Sequence, residues 1–270
     1  MKRAVLQALS SLRGAPADVI APSRADVPYR ANDRRGIAPL ADLYLPSTTT
    51  GASVVLVHGG GFLIGSRRMK PMRLLASRLC AAGIAVCVID YRLIFRGGRL
   101  DEALDDVCDA FAFWLDLAPT LGLDPHALSL VGLSAGATLA MLAASRLGNV
   151  ARLACCFGLY DADHFRGPLV TLWPRLLFRT ANRAQWNERS PRGAVQPTTP
   201  TLLLHGAADG LVHVDQASRL AAHRESLGLP TRLVIYPEAP HGFFNLPCAA
   251  SDAGIREIIE HVSPTSSSGS

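Results

Sequence analysis

Three side chains in this sequence are of the types that together carry out nucleophilic acyl transfer: Ser134, Asp209 and His241. A serine hydroxyl is a weak nucleophile by itself, so it needs a base, a group that orients the base, and a pocket for negative charge. Ser134 lies in Gly132-Leu-Ser-Ala-Gly136, which has the form G-x-S-x-G. In this form a sharp turn between a strand and a helix holds the serine exposed. An ordinary glycine-rich turn fits the same five residues, so other parts of the chain must decide whether Ser134 is a nucleophile.

Candidates for the acid and the base lie in two loops that follow predicted strands. Asp209 comes shortly after the apolar run 201–204, where its carboxylate could accept a hydrogen bond from a histidine. An aspartate at this position could equally cap a turn or the next helix, and Asp215, at the predicted start of that helix, is a rival acid. His241 lies in the loop after the following strand. Open parallel sheets place their sites at strand ends, so we expect these loops to meet above Ser134.

A glycine-rich loop directly after the first buried strand provides a candidate anion pocket. The sequence Val57-His-Gly-Gly-Gly-Phe62 lets the backbone turn its N–H groups toward a ligand. The predicted donors to an oxyanion are the amides of Gly59, Gly60, Gly61 and Ala135. A purely steric loop and a phosphate loop are alternatives, although neither G-x-x-x-x-G-K-[ST] nor G-x-G-x-x-G is present. We expect His58 to hold the conformation of the loop and His205 to make a structural hydrogen bond.

In this order the motifs resemble the α/β-hydrolase superfamily, in particular the hormone-sensitive-lipase-like esterases and related small carboxylesterases. The resemblance covers about residues 27–262 and includes HGGGF, GLSAG about 70 residues later, and the two loops described above. That family has the chain order serine, acid, histidine. The resemblance therefore implies Ser134 as nucleophile, Asp209 as orienting acid and His241 as base. Asp90-Tyr-Arg-Leu93 matches a further family segment beneath the site.

The elements that must position these residues are strands and helices in alternation. The β-branched run 53–57 predicts a buried strand, and the i, i+3, i+4, i+7 apolar pattern of 100–115 predicts an amphipathic helix. The alternation predicts an α/β fold with a mostly parallel sheet and helices on both faces. The resemblance implies the α/β-hydrolase fold with about eight strands. We expect one domain over 1–270, with a short cap insertion at 161–197 and a flexible tail at 263–270.

Composition and charge exclude several classes of function. The net charge is +5, but only two of the 27 basic residues are lysines, and the arginines are scattered, so we expect no nucleic-acid partner. The six cysteines form no C-x-x-C pair, so we expect no metal site and no disulfide, and the predicted chemistry needs no cofactor. No apolar run approaches the roughly 20 residues that span a membrane. The first 13 residues predict an amphipathic helix rather than a signal peptide, which favours the cytoplasm. A homodimer is possible, but the sequence does not decide whether one forms.

The activity predicted from these features is that of a serine carboxylesterase acting on small to medium carboxylic esters through an acyl-enzyme on Ser134. Four aromatic residues beside the motifs and in the insertion are predicted to line the substrate pocket: Phe62, Phe95, Trp173 and Phe243. The segments that form the lid in the family are short here, which favours an open site. The same triad would serve an amidase, an arylformamidase-like hydrolase or an acyltransferase. A non-enzymatic ligand receptor on the same fold is a further alternative.

Overall fold

The fold is described by a computed structural model that covers residues 19–30, 39–162 and 172–264. Within these residues eight strands form one sheet. The strands are β1 Arg24–Pro28, β2 Leu40–Tyr44, β3 Ser53–Val57, β4 Ala85–Ile89, β5 Leu128–Leu133, β6 Leu153–Cys156, β7 Thr201–Gly206 and β8 Thr231–Tyr236. The predicted N-terminal helix and most of the predicted tail lie outside the described residues.

The strand order in the sheet is β1-β2-β4-β3-β5-β6-β7-β8. Strands β1 and β2 pair antiparallel with each other and β2 pairs antiparallel with β4, whereas all pairs from β4 to β8 are parallel. Parallel strands end at the same edge of a sheet, so the loops after β3, β5, β7 and β8 meet there. These loops carry the glycine-rich segment, Ser134, Asp209 and His241.

Helices cover both faces of the sheet. In the described residues they are α1 Lys70–Ala81, α2 Leu100–Leu117, α3 Ala135–Leu147, α4 Leu172–Phe178, α5 Arg183–Arg189, α6 Asp215–Ser226 and α7 Ala249–Val262. Helices α1 and α7 pack on one face, and α2, α3 and α6 pack on the other. Within β3, Val55 and Val57 belong to one core and Val54 and Leu56 to the other. A strand buried on both faces is apolar throughout, which explains the unbroken run 53–57.

The predicted fold class is confirmed by this sheet of eight strands and its two layers of helices. The predicted strand 53–57 has the bounds of β3, and the helix predicted over 100–115 extends to Leu117. In the predicted insertion 161–197 the structure describes two short helices, α4 and α5, and residues 163–171 lie outside it. The single domain over 1–270 and the cap therefore stay predictions. None of the helices in the described ranges is long and apolar enough to cross a bilayer.

Candidate active site

Ser134 lies at the turn between β5 and α3, with a backbone conformation that few residues adopt. Its φ is 51° and its ψ is −118°, and its N–H donates to the carbonyl of Cys156 on the neighbouring strand at 2.9 Å. A non-glycine residue with positive φ persists only when its surroundings hold it. The close approach at Gly136 is part of those surroundings, since a Cβ there would lie 2.2 Å from the carbonyl oxygen of Val57. The turn therefore lifts Ser134 out of the sheet edge and leaves its side chain accessible.

The side chains of Ser134, His241 and Asp209 form a chain of two hydrogen bonds. His241 Nε2 lies 3.1 Å from Ser134 Oγ, and His241 Nδ1 lies 2.7 Å from Asp209 Oδ2. Because a carboxylate only accepts, Nδ1 carries the proton and Nε2 presents its lone pair to the serine hydroxyl. The structure thus brings together the three residues singled out in the sequence, although they are separated by 107 and 32 positions.

Asp209 is wholly buried and accepts hydrogen bonds on both carboxylate oxygens. Its Oδ1 accepts from the backbone N–H groups of Leu211 and Val212 at 2.9 and 2.8 Å. Burial raises the pKa of this carboxyl, but hydrogen bonds from His205, His241 and Val212 outweigh it and hold the pKa well below its ordinary value. Asp209 is therefore charged at neutral pH.

The rival acid, Asp215, lies in a different environment. Its side chain is exposed at the start of α6, where it lies 3.1 Å from the imidazole of His213. It occupies the helix N-terminal position for which an aspartate is well suited. Of the two aspartates, Asp209 is the one that contacts His241.

The glycine-rich loop passes directly beside the serine. A Cβ added to Gly59 would lie 3.1 Å from the Cβ of Ser134, so no side chain fits between them. Gly60 and Gly61 follow with φ values of 117° and 60°. On the other side of the serine, Ala135 is the first residue of α3, where the amide has no partner within the helix and the helix dipole favours negative charge. Two of the predicted oxyanion donors, Gly59 and Ala135, therefore lie next to Ser134, and the donor roles of all four residues stay a prediction.

His58 supports the glycine-rich loop from below, as expected. Its Nδ1 lies 2.6 Å from the carbonyl oxygen of Gly59, and its ring stacks on Tyr91. The hydroxyl of Tyr91 donates to the carbonyl oxygen of His58 at 3.1 Å. His58 is fully buried, and this burial lowers its pKa. A buried neutral imidazole that stacks on one side and bonds to the backbone on the other is a structural support, not a proton donor to a substrate.

Asp90 and Arg67 link the far end of this loop to the sheet. The N–H of Arg67 donates to Asp90 Oδ1 at 2.7 Å, and its guanidinium bonds to the same carboxylate. The guanidinium also pairs with Asp42 on β2, at 2.9 Å, and with Asp26 on β1. The predicted family segment at 90–93 therefore acts through a buried charge network that the sequence pattern alone did not indicate.

Phe157 is a further residue at the site that the sequence did not single out. It follows β6 with φ 42°, and its ring meets the His241 ring edge-on with centroids 5.2 Å apart. A bulky residue with positive φ is a genuine outlier. The ring restricts the movement of the imidazole along one of its sides. The one signal that could have indicated Phe157 is its place at the carboxyl end of a strand.

Two of the predicted pocket residues are core residues instead. Phe62 is only 1% exposed, and its ring meets Tyr91 edge-on inside the core. Phe243 is completely buried in the core between the sheet and α7, where its ring packs on Phe157 and Phe244. The prediction of a pocket role was wrong for both, because the chain turns at these positions and directs the side chains under the site.

The other two predicted pocket residues have different outcomes. Phe95 lies in a 3₁₀ turn after β4 and is 74% exposed, so its ring is free to contact a ligand at the surface. Trp173 lies in α4, and its side chain is outside what the structure describes. A pocket role for Phe95 and for Trp173 stays a prediction.

Comparisons with known proteins agree with this architecture. The family BD-FAE matches residues 41–160. The chain is 28% identical over 235 residues to the ethyl acetate hydrolase of Pseudomonas putida, covering 78% of this chain and 72% of the hydrolase. It is 26% identical over 231 residues to the isoprenylcysteine alpha-carbonyl methylesterase ICME of Arabidopsis thaliana, covering 74% of this chain. The match spans about half of that methylesterase, 53% of its length.

Solved structures share the fold at low sequence identity. Esterase B from Lactobacillus rhamnosis superposes with a TM-score of 0.78 over 97% of this chain and 92% of that one, at 18% identity. Thermogutta terrifontis esterase 2 phosphonylated by sarin gives a TM-score of 0.74 over 88% and 94%, at 20% identity. The fold is that of the α/β hydrolases. The two sequence relatives are named as an ethyl acetate hydrolase and a methylesterase, which agrees with that fold.

Proposed function

We propose that this protein is a serine carboxylesterase that hydrolyses small carboxylic esters through an acyl-enzyme on Ser134. The observation that carries the proposal is the pair of hydrogen bonds from Ser134 Oγ to His241 Nε2 and from His241 Nδ1 to Asp209 Oδ2, at 3.1 and 2.7 Å. A serine, an imidazole and a buried carboxylate in this order form the arrangement that activates a hydroxyl for acyl transfer. Kinship with named esterases supports the same reaction.

The first half of the reaction forms the acyl-enzyme. As Ser134 Oγ attacks the carbonyl carbon of the ester, its proton passes to His241 Nε2. Asp209 keeps the Nδ1–H tautomer and stabilises the imidazolium that results. His241 then gives the proton to the ester oxygen of the leaving alcohol, and the bond between that oxygen and the carbonyl carbon breaks.

The second half regenerates the serine. Water takes the place of the alcohol, and His241 Nε2 removes one of its protons as the water oxygen attacks the acyl carbon. The proton then returns to Ser134 Oγ as the carboxylic acid leaves. In both halves the carbonyl oxygen becomes negative, and the amides of Ala135 and of the glycine-rich loop are its proposed donors. Each donor of this kind is worth about 3 kcal/mol of transition-state stabilisation.

Small esters are the proposed substrate class. One relative is named for ethyl acetate and the other for a methyl ester. A series of p-nitrophenyl esters from acetate to decanoate tests this proposal, and we expect kcat/KM to be highest for the short chains. A maximum at decanoate would contradict it.

The proposed nucleophile is tested by Ser134→Ala, which removes the attacking oxygen. We expect turnover of p-nitrophenyl acetate to fall by at least about a thousandfold, because residual acceleration comes only from the remaining groups. Ser145→Ala, in the helix α3 that follows Ser134, is the matched control, since the hydroxyl of Ser145 donates to the carbonyl oxygen of Val195. Undiminished turnover in Ser134→Ala would overturn the proposal. Labelling of Ser134 by an organophosphonate gives a second readout.

A cytoplasmic location and a homodimer are finer proposals that come from the sequence. Cell fractionation with an antibody against the protein tests the location. Light scattering during size-exclusion chromatography tests the homodimer by its mass. A mass near 28.7 kDa would indicate a monomer and contradict it.

A further inference from the structure

His205 is a second imidazole in contact with the buried carboxylate of Asp209. It lies in β7 one residue before the strand ends, and its side chain is completely buried. Its Nε2 lies 2.9 Å from the carbonyl oxygen of Val212 and 3.3 Å from Asp209 Oδ2. The carboxylate oxygen that accepts from His241 therefore faces a second histidine as well.

The surroundings of His205 determine which of its nitrogens carries the proton. Both atoms near Nε2 only accept hydrogen bonds, so Nε2 is protonated and shares its hydrogen between them. Nδ1 is buried and has no hydrogen-bond partner among the described residues. A proton there would be a buried donor without an acceptor, which is costly. His205 is thus a neutral Nε2–H tautomer and a donor to Asp209.

Asp209 accepts four hydrogen bonds through this arrangement. Leu211 and Val212 donate to Oδ1, and His241 and His205 donate to Oδ2. The two histidines are the titratable side chains that hydrogen-bond this carboxylate within the described residues. The backbone donors hold one oxygen in place. His205 restrains the other, which is the oxygen that orients the base.

We propose that His205 is a positioning residue for the reaction, which holds Asp209 Oδ2 in place and limits the basicity of that oxygen toward His241. This proposal rests on the proposed esterase function. It differs from a purely structural role because it predicts an effect on the chemistry of His241 as well as on folding. Without the second donor, His241 is the only side chain of the described residues that donates to Oδ2, and the carboxylate is held in place only by the backbone donors to Oδ1 and by His241 itself.

Two substitutions at His205 separate the effect of its N–H donor from the effect of the space that its side chain fills. His205→Leu fills the space without an N–H, and His205→Gln carries an N–H at a distance from the backbone similar to that of Nε2. We expect His205→Leu to lower kcat about tenfold with KM nearly unchanged. We also expect the acidic limb of its kcat/KM profile to move to higher pH by roughly half a unit, because His241 binds its proton more tightly. His205→Gln should retain most of kcat and keep the acidic limb near its original pH.

His261 provides a matched control at the opposite edge of the sheet. Its Nε2 lies 3.1 and 3.2 Å from the carbonyl oxygens of Leu153 and Pro200, with no carboxylate involved. His261→Leu therefore removes the same kind of side chain and should lower stability without a change in the pH profile. If His205→Leu likewise leaves kcat and the acidic limb unchanged, or if His205→Gln is no better than His205→Leu, the proposal is overturned.

A measurement without turnover keeps this proposal distinct from the proposed function. Nitrogen-15 NMR of the imidazole rings in the unmodified protein should show His205 as the Nε2–H tautomer, and an Nδ1–H tautomer would overturn the positioning role even if His205→Leu fails to fold. We also expect the Nδ1–H resonance of His241 to shift in His205→Leu and to stay in place in His261→Leu. Activity in Ser134→Ala, in contrast, would overturn the esterase proposal and leave these signals as they are.

Discussion

The imidazole of His58 stacks on the phenol ring of Tyr91, with ring centroids 4.2 Å apart and ring planes 18° apart. The hydroxyl of Tyr91 also donates to the carbonyl oxygen of His58 at 3.1 Å. The residue that opens the glycine-rich loop is therefore held by a residue that follows the adjacent strand β4. This contact anchors the loop to the end of the sheet, and so helps to keep Gly59 beside Ser134.

Tyr91→Phe tests whether the hydroxyl of this pair contributes to the site. The stacking is kept and one buried hydrogen bond is lost, so we expect kcat for a short ester to fall about three- to tenfold with KM nearly unchanged. Tyr236→Phe is the control, because the hydroxyl of Tyr236 has no hydrogen-bond partner among the described residues. Steady-state kinetics of both variants decide the question, and equal rates in the two would contradict the prediction.

Asp209→Asn tests the charge at the carboxylate and its link to stability. A carboxyl whose pKa is lower in the folded than in the unfolded chain stabilises the fold above its ordinary pKa of 3.8, and this contribution is lost as the pH falls through the folded-state value. We therefore expect the difference in free energy of unfolding between the unmodified protein and Asp209→Asn to be largest near neutral pH and to shrink below about pH 4. Urea titrations of both proteins at several pH values measure this difference.

The same variant should be nearly inactive, because the amide of asparagine favours the wrong tautomer of His241. We expect kcat to fall by about three to four orders of magnitude. Asp215→Asn is the control for both measurements, since its side chain is exposed and pairs with His213. A stability difference for Asp209→Asn that is independent of pH would show that its carboxylate is not held charged by the fold.

Gly136→Ala tests the close packing that shapes the turn at Ser134. The added Cβ would lie 2.2 Å from the carbonyl oxygen of Val57, and neither the helix that carries the Cβ nor the strand that carries the oxygen can move easily. We expect a loss of about 3 kcal/mol in the free energy of unfolding and a large loss of activity. Gly210→Ala is the control, because a Cβ there meets nothing within 4 Å. Chemical denaturation compares the two, and equal stabilities would contradict the packing argument.

Arg67→Met tests the buried charge network under the glycine-rich loop. Arg67 is 6% exposed, and it pairs with the carboxylates of Asp26, Asp42 and Asp90. Its removal leaves the buried carboxylate of Asp90 without its guanidinium partner, whereas Asp42 keeps its pair with Arg68 at 3.0 Å, so we expect a loss of about 3–5 kcal/mol in the free energy of unfolding. Arg146→Met breaks an exposed pair with Asp105 and should cost less than about 1 kcal/mol. Thermal unfolding that is unchanged in Arg67→Met would contradict this account.

Much of the fold and of the site could be predicted from local sequence patterns. The strand β3 follows from an apolar run of β-branched residues, and α2 follows from its apolar periodicity. The glycines around Ser134 and after His58 indicate turns because few other residues fit them. Such features depend on neighbours close along the chain, and for this reason they can be recognised without a structure.

The sequence by itself therefore determined the order of strands and helices and the loops in which Ser134, Asp209 and His241 lie. Only the tertiary structure decided between Asp209 and Asp215, because the contact with His241 joins loops 32 positions apart. It also showed that Phe62 and Phe243 belong to the core, that His205 contacts Asp209 and that Phe157 contacts His241. The direction of a side chain at a strand end depends on the backbone turn and on the packing of distant elements, and no local pattern records either.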